Sequence, residues 1–105
     1  MIDTAGTLCK AAETLIDAGA TEVHSYITHG VLSGPAIDRI SKSVMRHLVI
    51  TDSIEVSPEA ASCNKIRTVP LAPMLAQATL NIANGTSVSS LFDEETLGPL
   101  YQGTY

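Results

Sequence analysis

The sequence predicts an α/β fold with a parallel sheet, on two observations. Segments of helical periodicity alternate with short runs of β-forming residues along most of the chain, the order that right-handed βαβ crossovers require. One of those runs, His47-Leu48-Val49-Ile50-Thr51, is nearly continuous in apolar residues, as in a strand buried on both faces of a parallel sheet.

The elements follow in order. Leu8, Ala11, Ala12, Leu15 and Ile16 repeat at i, i+3, i+4, i+7 and i+8, which predicts a helix over Gly6–Ala18, with Gly19 just past its end. Glu22–Thr28 holds the β formers Val23, Tyr26 and Ile27 between two glycines and predicts a strand. Ser33-Gly34-Pro35 opens a second helix, Pro35–Ser41, with the proline in the first turn, where its missing N–H costs nothing. His47–Thr51 is the second strand. Asp52–Asn64 reads as a loop with at most a helical turn at Glu59-Ala60-Ala61. Ile66–Val69 is a third strand, ended by Pro70. Met74, Leu75, Ala78 and Ile82 form the apolar stripe of a third helix, Pro73–Asn84, with Met74 expected in the core. An acidic, then polar, tail occupies 93–105. No strand precedes the first helix. In an open α/β sheet the strand before a ligand loop is central, and Met1-Ile2 is long enough only for its last two residues.

Composition narrows the function classes. The 105 residues are 45% hydrophobic and only 16% charged, which excludes a disordered tail and suggests more apolar surface than one small domain hides. Six Lys+Arg against eleven Asp+Glu give a net charge of −5, so a nucleic acid is not an expected partner. Cys9 and Cys63 are too few for a disulfide framework and read as packed thiols. No apolar run approaches the ~20 residues of a membrane span. The start, Met1-Ile2-Asp3-Thr4, has neither the basic nor the apolar region of a signal peptide, so no membrane association and a cytoplasmic location are expected.

The segment Asp3-Thr4-Ala5-Gly6-Thr7 lies just before the first helix. A helix N-terminus carries unpaired N–H groups and about half a positive charge, so it attracts phosphate. Gly6 allows close backbone approach, and the Thr4 and Thr7 hydroxyls can donate to phosphate oxygens. Asp3 would repel a phosphate and is expected to turn back toward loop N–H groups or a sugar hydroxyl. The five residues alone describe an ordinary loop with an Asp or Thr N-cap at least as well. His29 reads as a hydrogen-bonded structural histidine, since no second His or carboxylate stands at ligand spacing. His24 and His47 read as strand residues.

Four segments carry a family resemblance. Met1-Ile2-Asp3-Thr4-Ala5-Gly6-Thr7-Leu8 resembles the end of the phosphoribosyl-pyrophosphate binding motif. Residues 26–36, Tyr-Ile-Thr-His-Gly-Val-Leu-Ser-Gly-Pro-Ala, resemble the segment that follows in ribose-phosphate pyrophosphokinases. Residues 48–54, Leu-Val-Ile-Thr-Asp-Ser-Ile, and 87–92, Ser-Val-Ser-Ser-Leu-Phe, resemble that family's next strand and its C-terminal signature. The resemblance covers residues 1–92. It implies a partial phosphoribosyltransferase-like, Rossmann-like domain, a parallel sheet flanked by helices and truncated at its N-terminal strand. It also implies that the chain matches the last third of a synthetase and is a fragment or begins at an internal methionine.

By resemblance, the parent transfers diphosphate from ATP to ribose 5-phosphate, making 5-phosphoribosyl 1-pyrophosphate for nucleotide, including purine, biosynthesis. Asp3, Thr4, Ala5, Gly6 and Thr7 would hold the ribose 5-phosphate group. Ser87 and Ser89 would contribute to a phosphate or ADP effector site between synthetase subunits; as bare residues they equally describe a polar turn after Gly85. The family's catalytic Lys and Arg, its Mg2+ ligands and its ATP-binding segments have no counterpart here, so no catalytic or metal residue is expected in this chain and the chain alone is expected to be inactive. The family's two arginines near Leu80-Asn81 are absent. A non-catalytic regulatory subunit and a flavodoxin-like interaction module are the competing readings. The intact Thr-Ala-Gly-Thr loop favours the catalytic lineage.

Overall fold

The computed structural model describes residues 1–101; the last four residues of the tail expected at 93–105 lie outside the described residues. The chain forms two compact units, Met1–Val69 and a second beginning at Pro70. The first contains α1 (Gly6–Asp17), β1 (His24–Ile27), α2 (Ala36–Lys42), β2 (His47–Thr51), α3 (Pro58–Ser62) and β3 (Ile66–Val69). The strands form one parallel sheet in the order β1-β2-β3. His24 faces His47 in register, and Leu48 faces Ile66. Each crossover carries a helix, as parallel neighbours require.

Alternation decides which side of the sheet is buried. Leu48, Ile50 and Ile66 point into one core with Ala12 of α1, Ala36 and Ile40 of α2, Ala60 of α3, and Met45. Ala36, Ile40 and Leu48 are fully buried. Cys9 and Cys63 are free thiols packed against this core. The opposite face carries His24, Tyr26, His47, Val49 and Arg67, and Tyr26 is 74% exposed. The expectation that β2 is buried on both faces is therefore corrected. Its burial alternates, because the core packs against one side of the sheet.

Two further boundaries move. β1 is shorter than Glu22–Thr28. The stretch expected to be mostly loop contains α3, a real if short helix: Ser57 Oγ accepts the Ala60 N–H at 3.2 Å, and Pro58 occupies the first turn. Before α1, Ile2 forms a single parallel rung with Gly30 rather than a strand. Its N–H donates to the His29 carbonyl at 3.0 Å and its carbonyl accepts the Val31 N–H at 2.8 Å. Gly30 is needed there, since a Cβ would stand 2.9 Å from Ile50 Cδ1.

The second unit contains α4 (Ala72–Ala83), a 3-10 turn at Ser89–Phe92, the short α5 (Glu94–Leu97) and a 3-10 turn at Gly98–Leu100. The expected apolar stripe of α4 is not its buried face. Leu75 is 57% and Ile82 70% exposed, Met74 is only half-buried, and the buried residue is Asn81. Both polar atoms of its side chain are bonded: Nδ2 donates to the Ser87 carbonyl at 3.0 Å, and Oδ1 accepts from Gln77 Nε2 at 2.8 Å. A buried amide is tolerable only when bonded in this way. Among the described residues no helix is long and apolar enough to cross a membrane.

Candidate functional site

The rung at Ile2 places residues 3–7 beside the carboxyl end of β1, where open parallel sheets present their ligand loops. Ala5 is the residue from which α1 departs. It is buried and left-handed, at φ 66°, a conformation that costs a non-glycine residue of order 1 kcal/mol and is held by its surroundings. No side chain caps α1, and no acidic residue stands in its first turn. The Asp or Thr N-cap that a plain loop would use is therefore not formed. The N–H groups opening α1 keep their positive end uncompensated.

Asp3 does not turn back to the loop N–H groups. Its Oδ1 accepts the Ser33 hydroxyl, and its carbonyl accepts the Ser33 N–H at 3.1 Å. The carboxylate is thus tied to the segment before α2, thirty residues away. Thr4 and Thr7 are exposed, and Gly6 is half-buried against α2. Leu32, in the same neighbouring segment, is also left-handed at φ 53°. A cleft runs along the loop between Met1, Thr4, Thr7, Ala11 and Ile27.

A second loop arrangement adjoins the end of β1. His29 Nδ1 lies 2.7 Å from Ser53 Oγ, and the Thr51 hydroxyl donates to the Thr28 carbonyl at 2.5 Å. His29 is thus the hydrogen-bonded residue that sequence reasoning expected. At the other end of the strands, His24 and His47 meet with Nδ1 atoms 3.3 Å apart, and His24 Nε2 donates to Glu22 at 2.9 Å. That bond, helped by Arg46, holds the Glu22 carboxyl below its usual 4.5. Burial, and then the charge of Arg67, pushes His47 below its usual 6.5. Register alone creates this pair, and single-strand reading had no signal for it.

Sequence reasoning also missed Arg39. From α2 its Nη1 donates to the Thr4 carbonyl at 3.1 Å, and it lies where a Cβ on Gly6 would be 3.1 Å away. The available signal was a lone Arg in a helix 35 residues from Thr4, which identifies nothing without the fold.

In the second unit, Ser87 and Ser89 are brought together, with hydroxyls 2.6 Å apart, at the start of the 3-10 turn. Asn81 and the Ser90 hydroxyl both bond the Ser87 carbonyl. Among the described residues no three His, Cys, Asp or Glu side chains are grouped to hold a metal.

The fold and loops define a class: α/β proteins that offer ligand loops at the carboxyl ends of a parallel sheet. Within it, the chain belongs to the ribose-phosphate pyrophosphokinase family. The model of the phosphoribosyl synthetase-associated domain matches residues 1–93. A ribose-phosphate pyrophosphokinase of Cereibacter sphaeroides is 69% identical over 103 residues, which are 98% of this chain and 31% of that protein. One from Caulobacter vibrioides is 57% identical over 91 residues, 87% of this chain and 29% of that protein. The crystal structure of phosphoribosylpyrophosphate synthetase from Mycobacterium smegmatis matches with a TM-score of 0.75 at 30% identity, over 81% of this chain and 28% of that one. The chain thus spans under a third of the length of these relatives.

Proposed function

We propose that this chain is the part of a ribose-phosphate diphosphokinase that holds the phosphate of ribose 5-phosphate, in the loop Asp3–Thr7. The observation that carries the reading is the uncapped start of α1 behind a left-handed Ala5. A phosphate placed there accepts successive backbone N–H groups and meets the positive end of the helix. The exposed Thr7 hydroxyl adds a donor from the first helical turn. Asp3, whose Oδ1 accepts the Ser33 hydroxyl, is assigned to a sugar hydroxyl rather than to the phosphate, which its charge would repel.

The chemistry of diphosphate transfer rests on positioning and on cationic charge around the transferred group. This chain supplies positioning. Magnesium is implied by the family resemblance, and among the described residues no three His, Cys, Asp or Glu side chains are grouped to form a dedicated cage for it. Its ligands, like the groups that hold ATP, are assigned to the rest of the parent. A cytoplasmic location and assembly with other synthetase subunits complete the reading.

The test is Thr7→Ala in the full-length parent. One hydrogen bond to a charged phosphate is worth about 1.5–3 kcal/mol, so the KM for ribose 5-phosphate should rise roughly ten- to a hundredfold. The KM for ATP should stay nearly constant. Equal changes for both substrates count against the loop as a phosphate site.

Ser87 and Ser89 form the second part of the proposal. Two hydroxyls 2.6 Å apart on a turn can rotate outward to donate to phosphate oxygens, which supports a phosphate or ADP effector contact. Ser89→Ala in the parent should weaken phosphate activation or ADP inhibition severalfold with kcat preserved. Lost catalysis with unchanged regulation would remove the effector assignment.

A further inference from the structure

We infer that Arg39 is a positioning residue for the anion loop, acting through the Thr4–Ala5 peptide. The inference rests on the loop reading above and adds to it the group that sets the loop's geometry. α2 is a firm platform for this side chain, since Ala36 and Ile40 on its inner face are completely buried. From there Arg39 Nη1 donates to the Thr4 carbonyl at 3.1 Å. The peptide is trans, and in a trans peptide the C=O and the following N–H point in opposite directions. A Thr4 carbonyl drawn toward α2 therefore turns the Ala5 N–H away from α2. Ala5 is left-handed and Gly6 begins the right-handed helix. That pairing of opposite-handed residues curls the N–H groups of Ala5, Gly6 and Thr7 into one concavity suited to an anion.

Gly6 belongs to the same device. A Cβ there would stand 3.1 Å from Arg39 Nη1, tighter than ordinary packing, so the guanidinium would have to shift by a few tenths of an ångström from its place on the Thr4 carbonyl. The glycine is thus matched to the arginine. Charge points the same way. The Asp38 carboxylate on α2 takes Lys42 at 3.2 Å, and none of the ion pairs among the described residues includes Arg39. Its positive charge lies behind the loop with only one of its five donors directed at Thr4. The ligand this arrangement serves is the phosphate monoester of a sugar phosphate.

The test titrates the 105-residue chain with ribose 5-phosphate, followed by 31P NMR and by the amide resonances of Ala5, Gly6 and Thr7. In the wild type, binding should move those three amides most. Arg39→Met should weaken binding about tenfold and reduce the Ala5 amide shift at saturation, with the circular dichroism of the fold retained. Gly6→Ala should weaken binding severalfold by displacing the guanidinium. In the double variant the two losses should not add, because no guanidinium remains to be displaced. If Arg39→Met fails to fold, Gly6→Ala decides, with the Ala5 amide as its readout. Wild-type binding that is unaltered in Arg39→Met, or fully additive losses in the double variant, overturns the positioning role while leaving the loop reading intact. Absence of ribose 5-phosphate binding by the wild type overturns both.

Discussion

The two units of this chain are built on different principles. Met1–Val69 is organised by apolar packing. Ile40 and Leu48 are completely buried, Met45 and Ile50 nearly so, and they share one core with three helices. The unit beginning at Pro70 is organised by one amide. Asn81 ties Gln77 in α4 to the Ser87 carbonyl, while its own carbonyl takes the Thr86 N–H at 2.8 Å. Leu91 is the one strongly buried apolar side chain among its described residues. The difference matters because the two kinds of order respond to different perturbations. A packed core loses stability with volume, whereas a polar staple loses it with a single hydrogen-bonding group. The loop Asp3–Thr7 is mounted on the first kind of scaffold and the paired serines on the second.

The largest effect that separates the two should come from the cores themselves. Leu48→Ala leaves a cavity on the central strand and should cost about 2–5 kcal/mol in chemical denaturation. Leu91→Ala, in a thinner apolar setting, should cost clearly less. Equal losses would break the contrast between the units. A smaller effect is expected at Asn81. Asn81→Ala removes the donor to the Ser87 carbonyl and the acceptor for Gln77, at about 1–3 kcal/mol, and should speed amide exchange at Thr86 and Leu91. It should also loosen the two serine hydroxyls, so the effector responses proposed for the parent should follow the exchange data.

The smallest effect sharpens the view of the exposed sheet face. His47 sits near His24, Arg46 and Arg67, with Glu22 the opposing charge, and burial with Arg67 holds its pKa below 6.5. The folded state therefore binds fewer protons than the unfolded state between that lowered pKa and 6.5. By linkage, stability should fall as pH drops through this window and level off below it. Glu22, held below 4.5, adds stability that is present above 4.5 and is lost at lower pH, as the pH falls through its folded pKa. His47→Gln should flatten the upper step of a melting-temperature profile against pH and leave the lower one. A profile unchanged by the substitution would show that the histidine pair is too solvated to matter.

The sequence determined by itself what depends on neighbours in the chain. The period of Leu8, Ala12 and Ile16 set α1, and the β-forming run from His47 set β2. The Ser57-Pro58 start of α3 carried a cap and a first-turn proline and was readable, though too short to outweigh the polar context. The ordered motifs around Gly6, Gly30, Asp52 and Ser87 were enough for the family. Tertiary structure alone decided what depends on partners brought from elsewhere. α4 has the spacing of an amphipathic helix, yet its buried residue is Asn81, because burial is set by what packs against a helix and not by its own period. Asp3 turns to Ser33, Gly30 is required by Ile50, and Arg39 holds Thr4 across 35 residues. Each of these joins segments that the βαβ crossovers bring together, and separations of that length leave no periodicity in the sequence from which a contact could be read.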